Sequence, residues 1–138
     1  MNTGPVSLCE VKGGLFRCKG QAMGLCQYCG RPFCPKHGQR QADGQEICSR
    51  RFCIAKRDDL VVHLVYKDVV DARNETEKCG IDGCNNAIGG QCIRCRGFYC
   101  GRHVEGREER IYQNQVLVPQ LASLCRHCWQ RRPIWLRR

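Results

Sequence analysis

Residues 18–37 read CKGQAMGLCQYCGRPFCPKH, and residues 84–103 read CNNAIGGQCIRCRGFYCGRH. At a constant offset of 66 residues the two stretches carry the same string of metal-ligating side chains. The first has Cys18, Cys26, Cys29, Cys34 and His37; the second has Cys84, Cys92, Cys95, Cys100 and His103. Working outward, each copy gains an earlier cysteine (Cys9; Cys79) and a later pair (Cys48 with Cys53; Cys125 with Cys128). The 14 cysteines and two histidines therefore form two octets, enough for four tetrahedral sites with no cysteine left over. This predicts an internally duplicated two-zinc module and four Zn2+ per chain.

The 138 residues divide into halves too small to be stabilised by burial of apolar surface alone, so staples are expected. Only 7% of the residues are aromatic and 15 are glycine, a composition suited to loops organised around metal. A structural zinc contributes on the order of 10 kcal/mol to folding, so each half is expected to unfold without it. A disulfide framework is the rival use of an even cysteine count. Against it stand the C-x2-C pairs and the histidines at sulfur positions. The start, MNTGPVSLCE, has neither a basic nor an apolar leader segment. Leu60 to Tyr66, interrupted by His63, is far too short to cross a bilayer. These features point to a reducing intracellular compartment, cytoplasmic or nuclear, with no membrane partner.

The formal charge is +10, from 23 basic and 13 acidic residues. Zinc-bound cysteine is a thiolate, so a site of three cysteines and one histidine carries −1 with its ion, and an all-cysteine site −2. One of each per half contributes −6 and brings the chain from +10 to about +4. Basicity is thus a weaker argument for nucleic acid than the formal value suggests.

Residues 1–8 read as a lead-in, 9–57 as the first module, and 58–78 as a connecting helix or strand followed by a linker. Residues 79–128 read as the second module and 129–138 as a basic aromatic tail. Within the connector, IAKRDDL suits a helix begun near Arg50, whereas VVHLVYKDVV is β-branched and suits an extended segment. Phe33 and Tyr99 precede matching cysteines and are expected in small cores; Gly24 and Gly90 are expected in tight turns. His37 and Cys48 are separated by ten residues, His103 and Cys125 by twenty-one. The inserted Ile111–Val118, closed by Pro119, reads as a longer hairpin arm. Pro133 is expected to stop any helix that starts at Cys125.

Each octet comes as four ligand groups, and these can pair consecutively or alternately. Only four residues separate Cys29 from Cys34, and Cys95 from Cys100, which fits groups alternating between adjacent metals. The string C-x7-C-x2-C-x4-C-x2-H followed by a terminal ligand pair resembles B-box zinc domains, and also MYND-type and HIT-type fingers. That resemblance covers most of the chain taken as two copies. B-box cross-bracing implies Cys9, Cys18, Cys34 and His37 on one zinc, and Cys26, Cys29, Cys48 and Cys53 on the next. In the second copy it implies Cys79, Cys84, Cys100 and His103, then Cys92, Cys95, Cys125 and Cys128. The first pair is spaced more widely than in those families, and the terminal pair is cysteine throughout. His127 is the alternative to Cys128 as a ligand. The implied fold class is a small zinc-stabilised α+β chain: two tandem treble- or cross-brace modules, loop-rich, with short hairpins and short helices.

Catalytic zinc keeps an open coordination position; here every site closes with protein ligands, so no enzyme activity is expected. The families it resembles mostly bind proteins, which makes a non-catalytic adaptor with a protein partner the leading reading. Arg131, Arg132, Trp135, Arg137 and Arg138 are the candidate partner-binding residues, since tryptophan and arginine dominate many interfaces. The alternative is RNA or DNA binding within a ribonucleoprotein or transcription-related complex, through basic pairs and stacking tryptophans. The sequence names neither the partner nor the oligomeric state.

Overall fold

The computed structural model describes residues 7–13 and 16–136. The chain forms two compact units, Met1–Leu60 with Ile134–Arg138, and Val61–Pro133. The first is built from short antiparallel pairs: β1 (Lys12–Gly13) with β2 (Phe16–Arg17), β3 (Gly24–Leu25) with β4 (Pro32–Phe33), and β5 (Gly38–Arg40) with β6 (Glu46–Cys48). Helix α1 spans Arg51–Glu75 and runs from the first unit into the second. The second unit continues with β7 (Gly90–Gln91) paired to β8 (Phe98–Tyr99), and β9 (Val104–Gln113) paired to β10 (Val116–Cys125). Helix α2 (Arg126–Leu136) follows.

Each unit has one small core made of its cysteines and a single buried aromatic. Phe33 packs with Val11 and Ile47; Tyr99 packs with Val70, Ala122 and Leu124. Both aromatics are fully buried, each gaining roughly 1.5–3 kcal/mol from removal from water. Both lie opposite glycine in the register, Gly24↔Phe33 and Gly90↔Tyr99. The two glycines are therefore strand residues facing an aromatic, and not the turn residues expected.

The sequence offset reappears as backbone hydrogen bonds. Met23 N–H donates to the Phe33 carbonyl (2.7 Å) as Gly89 does to Tyr99 (2.8 Å). Cys26 donates to Arg31 (3.0 Å) as Cys92 does to Gly97 (2.9 Å), and His37 to Cys34 as His103 to Cys100, both at 3.0 Å. The isolated bridges Leu8↔Gln21 and Lys78↔Ala87 also correspond. Leu8 is thus paired within the first unit. The wider gap between Cys9 and Cys18 is taken up by the β1–β2 pair.

Two elements depart from expectation. Residues 51–75 form one helix of 25 residues, with no extended segment in VVHLVYKDVV and no short connector. Apolar side chains lie on more than one side of it, so neither period stands out. Its end is tied down instead of leading into a loose linker. Asn74 Nδ2 donates to the carbonyls of Lys78 and Phe98, and its Oδ1 accepts from Phe98 N–H, all at 2.9 Å. Helix α2 passes through Pro133 and absorbs residues 129–136 of the expected tail. Loss of one backbone donor is tolerable so close to a helix end. Pro119 likewise sits within β10, opposite Arg110. The hairpin arm is longer than Ile111–Val118, and it reverses at Asn114–Gln115, both with positive φ (50° and 66°) as a two-residue type I′ turn requires.

Candidate metal centres

Four groups of side chains converge: Cys9, Cys18, Cys34 and His37; Cys26, Cys29, Cys48 and Cys53; Cys79, Cys84, Cys100 and His103; and Cys92, Cys95, Cys125 and Cys128. In each, the ligand atoms lie within 4.8 Å of one another. The groups alternate along the chain: in each octet the first and third ligand pairs meet, as do the second and fourth. Membership coincides with the pairing implied by the B-box resemblance, Cys9 included. His127 lies outside the fourth group; its Nε2 is 3.0 Å from Nδ1 of His63, and its ring stacks on Tyr66 with centroids 3.8 Å apart.

The distances test whether these donors suit an ion. All 14 cysteines are free. A tetrahedron with Zn–S bonds of about 2.3 Å has edges of about 3.8 Å, against about 2.0 Å for a disulfide. Observed Sγ–Sγ separations are 3.8 Å for Cys18–Cys34, Cys29–Cys48 and Cys84–Cys100, and 3.9 Å for Cys95–Cys125. Each ligand histidine turns Nδ1 inward: that of His37 is 3.6 Å from Cys9 Sγ and 3.3 Å from Cys34 Sγ. His103 Nδ1 is 3.4 Å from Cys79 Sγ and 3.2 Å from Cys100 Sγ. Three thiolates with one imidazole, or four thiolates, is the soft, closed donor set that structural zinc takes.

At Cys26, Cys34 and Cys100 the surroundings favour thiolate, whereas burial pushes the Cys48 and Cys53 thiols up. Burial raises the Cys34 and Cys100 thiols, but the backbone N–H groups of Lys36 and Arg102, with neighbouring side chains, outweigh it; both fall from 9.0 to about 6. Burial likewise raises Cys26, and backbone N–H donors from Cys48, Cys29 and Tyr28 bring it down to about 7.

The two all-cysteine groups are supported differently. In the first unit Arg50 points Nη1 at Cys29 Sγ (3.6 Å) and Cys48 Sγ (3.5 Å), while its Nη2 donates to the Glu10 carbonyl (2.7 Å). A fixed positive charge thus faces a group that, as four thiolates around a divalent ion, would carry −2. The fourth group is wholly buried and uses neutral donors. Tyr66 Oη donates to Tyr99 Oη (2.9 Å), and Tyr99 Oη lies 3.1 Å from Cys95 Sγ. Burial pushes both phenols above the ordinary tyrosine value, so they remain O–H donors. Such outer hydrogen bonds tune ligand charge and orientation. The sequence reading missed Arg50, Tyr66 and Tyr99 as supports, because no spacing rule links them to the sulfurs they face.

The candidate partner-binding residues are largely engaged. Trp135 belongs to the first unit: its indole N–H donates to Asp59 Oδ2 (2.6 Å), and its ring meets Tyr28 edge-on with centroids 5.9 Å apart. Trp135, a candidate partner-binding residue, thus packs within its own unit. Trp129 packs against the second core, with Arg132 and Arg107 over its ring at 4.1 and 4.8 Å. Arg132 also faces the buried Glu109 carboxylate (3.8 Å). Arg131 is half-buried, and Arg137 and Arg138 lie outside the described residues.

Four Cys/His groups that could each hold a metal ion place the chain among zinc-finger-like metal-binding proteins. No known protein family, curated protein or solved structure matches it. Among the described residues, no helix is long and apolar enough to cross a membrane.

Proposed function

We propose that the chain is a non-catalytic adaptor made of two tandem, cross-braced two-zinc modules of B-box-like design, with four Zn2+ per chain, and that it binds a protein partner. The zinc supplies structural cross-links: each pair of ions ties four separated ligand groups into one frame, which replaces the large core that so short a chain lacks. The observation that carries this reading is the Sγ–Sγ spacing of 3.8–3.9 Å in closed four-ligand groups. Arg50, Tyr66 and Tyr99 serve as supports that offset thiolate charge.

The adaptor reading is further supported by the distribution of arginines. Arg50, Arg107 and Arg132, which basicity alone would offer to phosphates, are spent on sulfur, tryptophan or carboxylate. Elemental analysis of protein purified without added metal should give close to four zinc per chain; about two zinc, or extensive disulfides by thiol titration, overturns the assignment. Binding to mixed RNA and DNA across a salt series separates the partners. A steep salt slope would favour nucleic acid over the adaptor.

A further inference from the structure

Helix α1 carries a second apolar face that the metal frame does not use. Within the second unit Val70 is fully buried and Tyr66 packs against the core. On the same stretch Val61, Val62, Leu64, Val65 and Val69 remain 61, 61, 57, 63 and 39% exposed. Val62, Val65, Val69 and the exposed Ala72 fall at i, i+3, i+7 and i+10, the seam spacing by which one helix packs on another. The seam runs about 15 Å at about 1.5 Å per residue. A contiguous aliphatic row of this kind marks an interaction site, unlike scattered single apolar residues.

The charges around the seam select its occupant. From Val61 to Glu75 the exposed charged residues are Asp68, Asp71 and Glu75, all acidic, in a chain with 23 basic and 13 acidic residues. The basic residues of that stretch are drawn toward their own unit. Lys67 Nζ reaches Asp71 (2.9 Å) and the Cys95 carbonyl (2.7 Å); Arg73 donates to the carbonyls of Cys79 (2.8 Å) and Cys84. A second copy would bring one acidic rim against another, and an anionic bilayer would be repelled.

We propose that this face docks an amphipathic α-helix of a partner protein, its aliphatic seam laid along Val62–Ala72 and its lysine or arginine residues against Asp68 and Glu75. This rests on the adaptor reading and gives it a site, the helix-on-groove mode of recognition.

The probes are two synthetic helical peptides of about three heptads with leucine at the seam positions, one flanked by lysine and the other by glutamate. Each is labelled and titrated with the zinc-loaded full chain by fluorescence anisotropy. The lysine-flanked peptide should bind at least about tenfold more tightly than the glutamate-flanked one. Val62→Ser with Val65→Ser should weaken it by about tenfold or more, with zinc content and melting unchanged; Val65→Lys serves as a second variant should the pair fold poorly. Asp68→Asn with Glu75→Gln should narrow the preference and flatten its salt dependence. Equal binding of both peptides, binding of neither, or undiminished binding to the seam variants overturns the proposal. So does a dimer in sedimentation that Val62→Ser with Val65→Ser dissociates. Zinc content and the nucleic-acid salt series are read separately, so a loaded chain that ignores both peptides sinks this site alone.

Discussion

Gly30 and Arg96 occupy equivalent places in the two octets and hold the same left-handed backbone, with φ of 70° and 63°. Each closes the turn after a C-x2-C pair: Gly30 N–H donates to the Cys26 carbonyl (2.8 Å), and Arg96 N–H to that of Cys92 (3.0 Å). Glycine meets no penalty in this region, whereas a residue with Cβ is strained by about 1 kcal/mol. Arg96→Gly should therefore be neutral or stabilising by up to about 1 kcal/mol, and Gly30→Ala destabilising by a similar amount. Chemical denaturation of the zinc-loaded chain reads both; opposite signs would show that the turn does not limit stability.

Tyr99→Phe keeps the buried ring but removes the hydroxyl that lies against Cys95 Sγ and accepts from Tyr66. The expected cost is about 1–2 kcal/mol, because the Tyr66 hydroxyl loses its bond to Tyr99 and Cys95 Sγ loses the phenol beside it. Zinc release to a chelator should accelerate from the second unit alone. If release rates stay at the parent values, the tyrosine pair contributes packing only.

Cys29→Ser should remove more than one site, since only four residues separate Cys29 from Cys34, which belongs to the neighbouring group. The frame around both ions then loosens together. Loss of a single zinc with the neighbouring site intact, read by elemental analysis and protein fluorescence, would instead indicate independent sites.

The depressed Cys34 and Cys100 thiols make a contribution to the pH dependence whose sign is defined. Cys34 and Cys100 fall from 9.0 to about 6 in the folded chain, so at these two groups the folded state holds fewer protons than the unfolded one between those values. Their contribution is present above about pH 9 and is lost as pH falls through about 6. In the loaded chain protons compete with zinc for the same sulfurs, which acts in the same direction, so its unfolding midpoint should decline on acidification. A midpoint that rises on acidification would contradict the thiolate assignment.

Trp135 tests whether the end of the chain contributes to the first unit. With its indole bound to Asp59 and its ring against Tyr28, Trp135→Ala should lower the stability of the first unit by about 1–2 kcal/mol. Deleting residues 133–138 should do the same. Unchanged melting after that deletion would return the tail to the role of a free contact element.

The ligand strings are legible because metal geometry acts through spacing along the chain, and the alternation of Cys29 and Cys34 between groups fits a short link and is what the B-box resemblance implies. Helix α1 is not. Val62, Val65 and Val69 stay exposed while Tyr66 and Val70 turn inward, so apolar residues surround the axis and mask the 3.6-residue period. The hairpin reversal at Asn114–Gln115 lacks the glycine that marks such turns. Trp135 escapes a local reading because its partner, Asp59, lies 76 residues away in the chain. Support of sulfur by Arg50 and Tyr99 is equally invisible, since such contacts obey no repeat.

The pairing of Gly38 with Cys48 in one unit and of Val104 with Cys125 in the other shows that both hairpins grow from the same root, between a ligand histidine and the next ligand cysteine. One arm is three residues a side and the other ten, yet the metal groups at their bases share one pattern. Length at this point is decoupled from the frame beneath it. This point is therefore expected to act as a graft port: foreign segments placed at Asn114–Gln115, or between Arg40 and Glu46, should leave the ligand groups in place, which zinc content would check. A lineage could alter what such a scaffold displays far faster than it alters the scaffold itself.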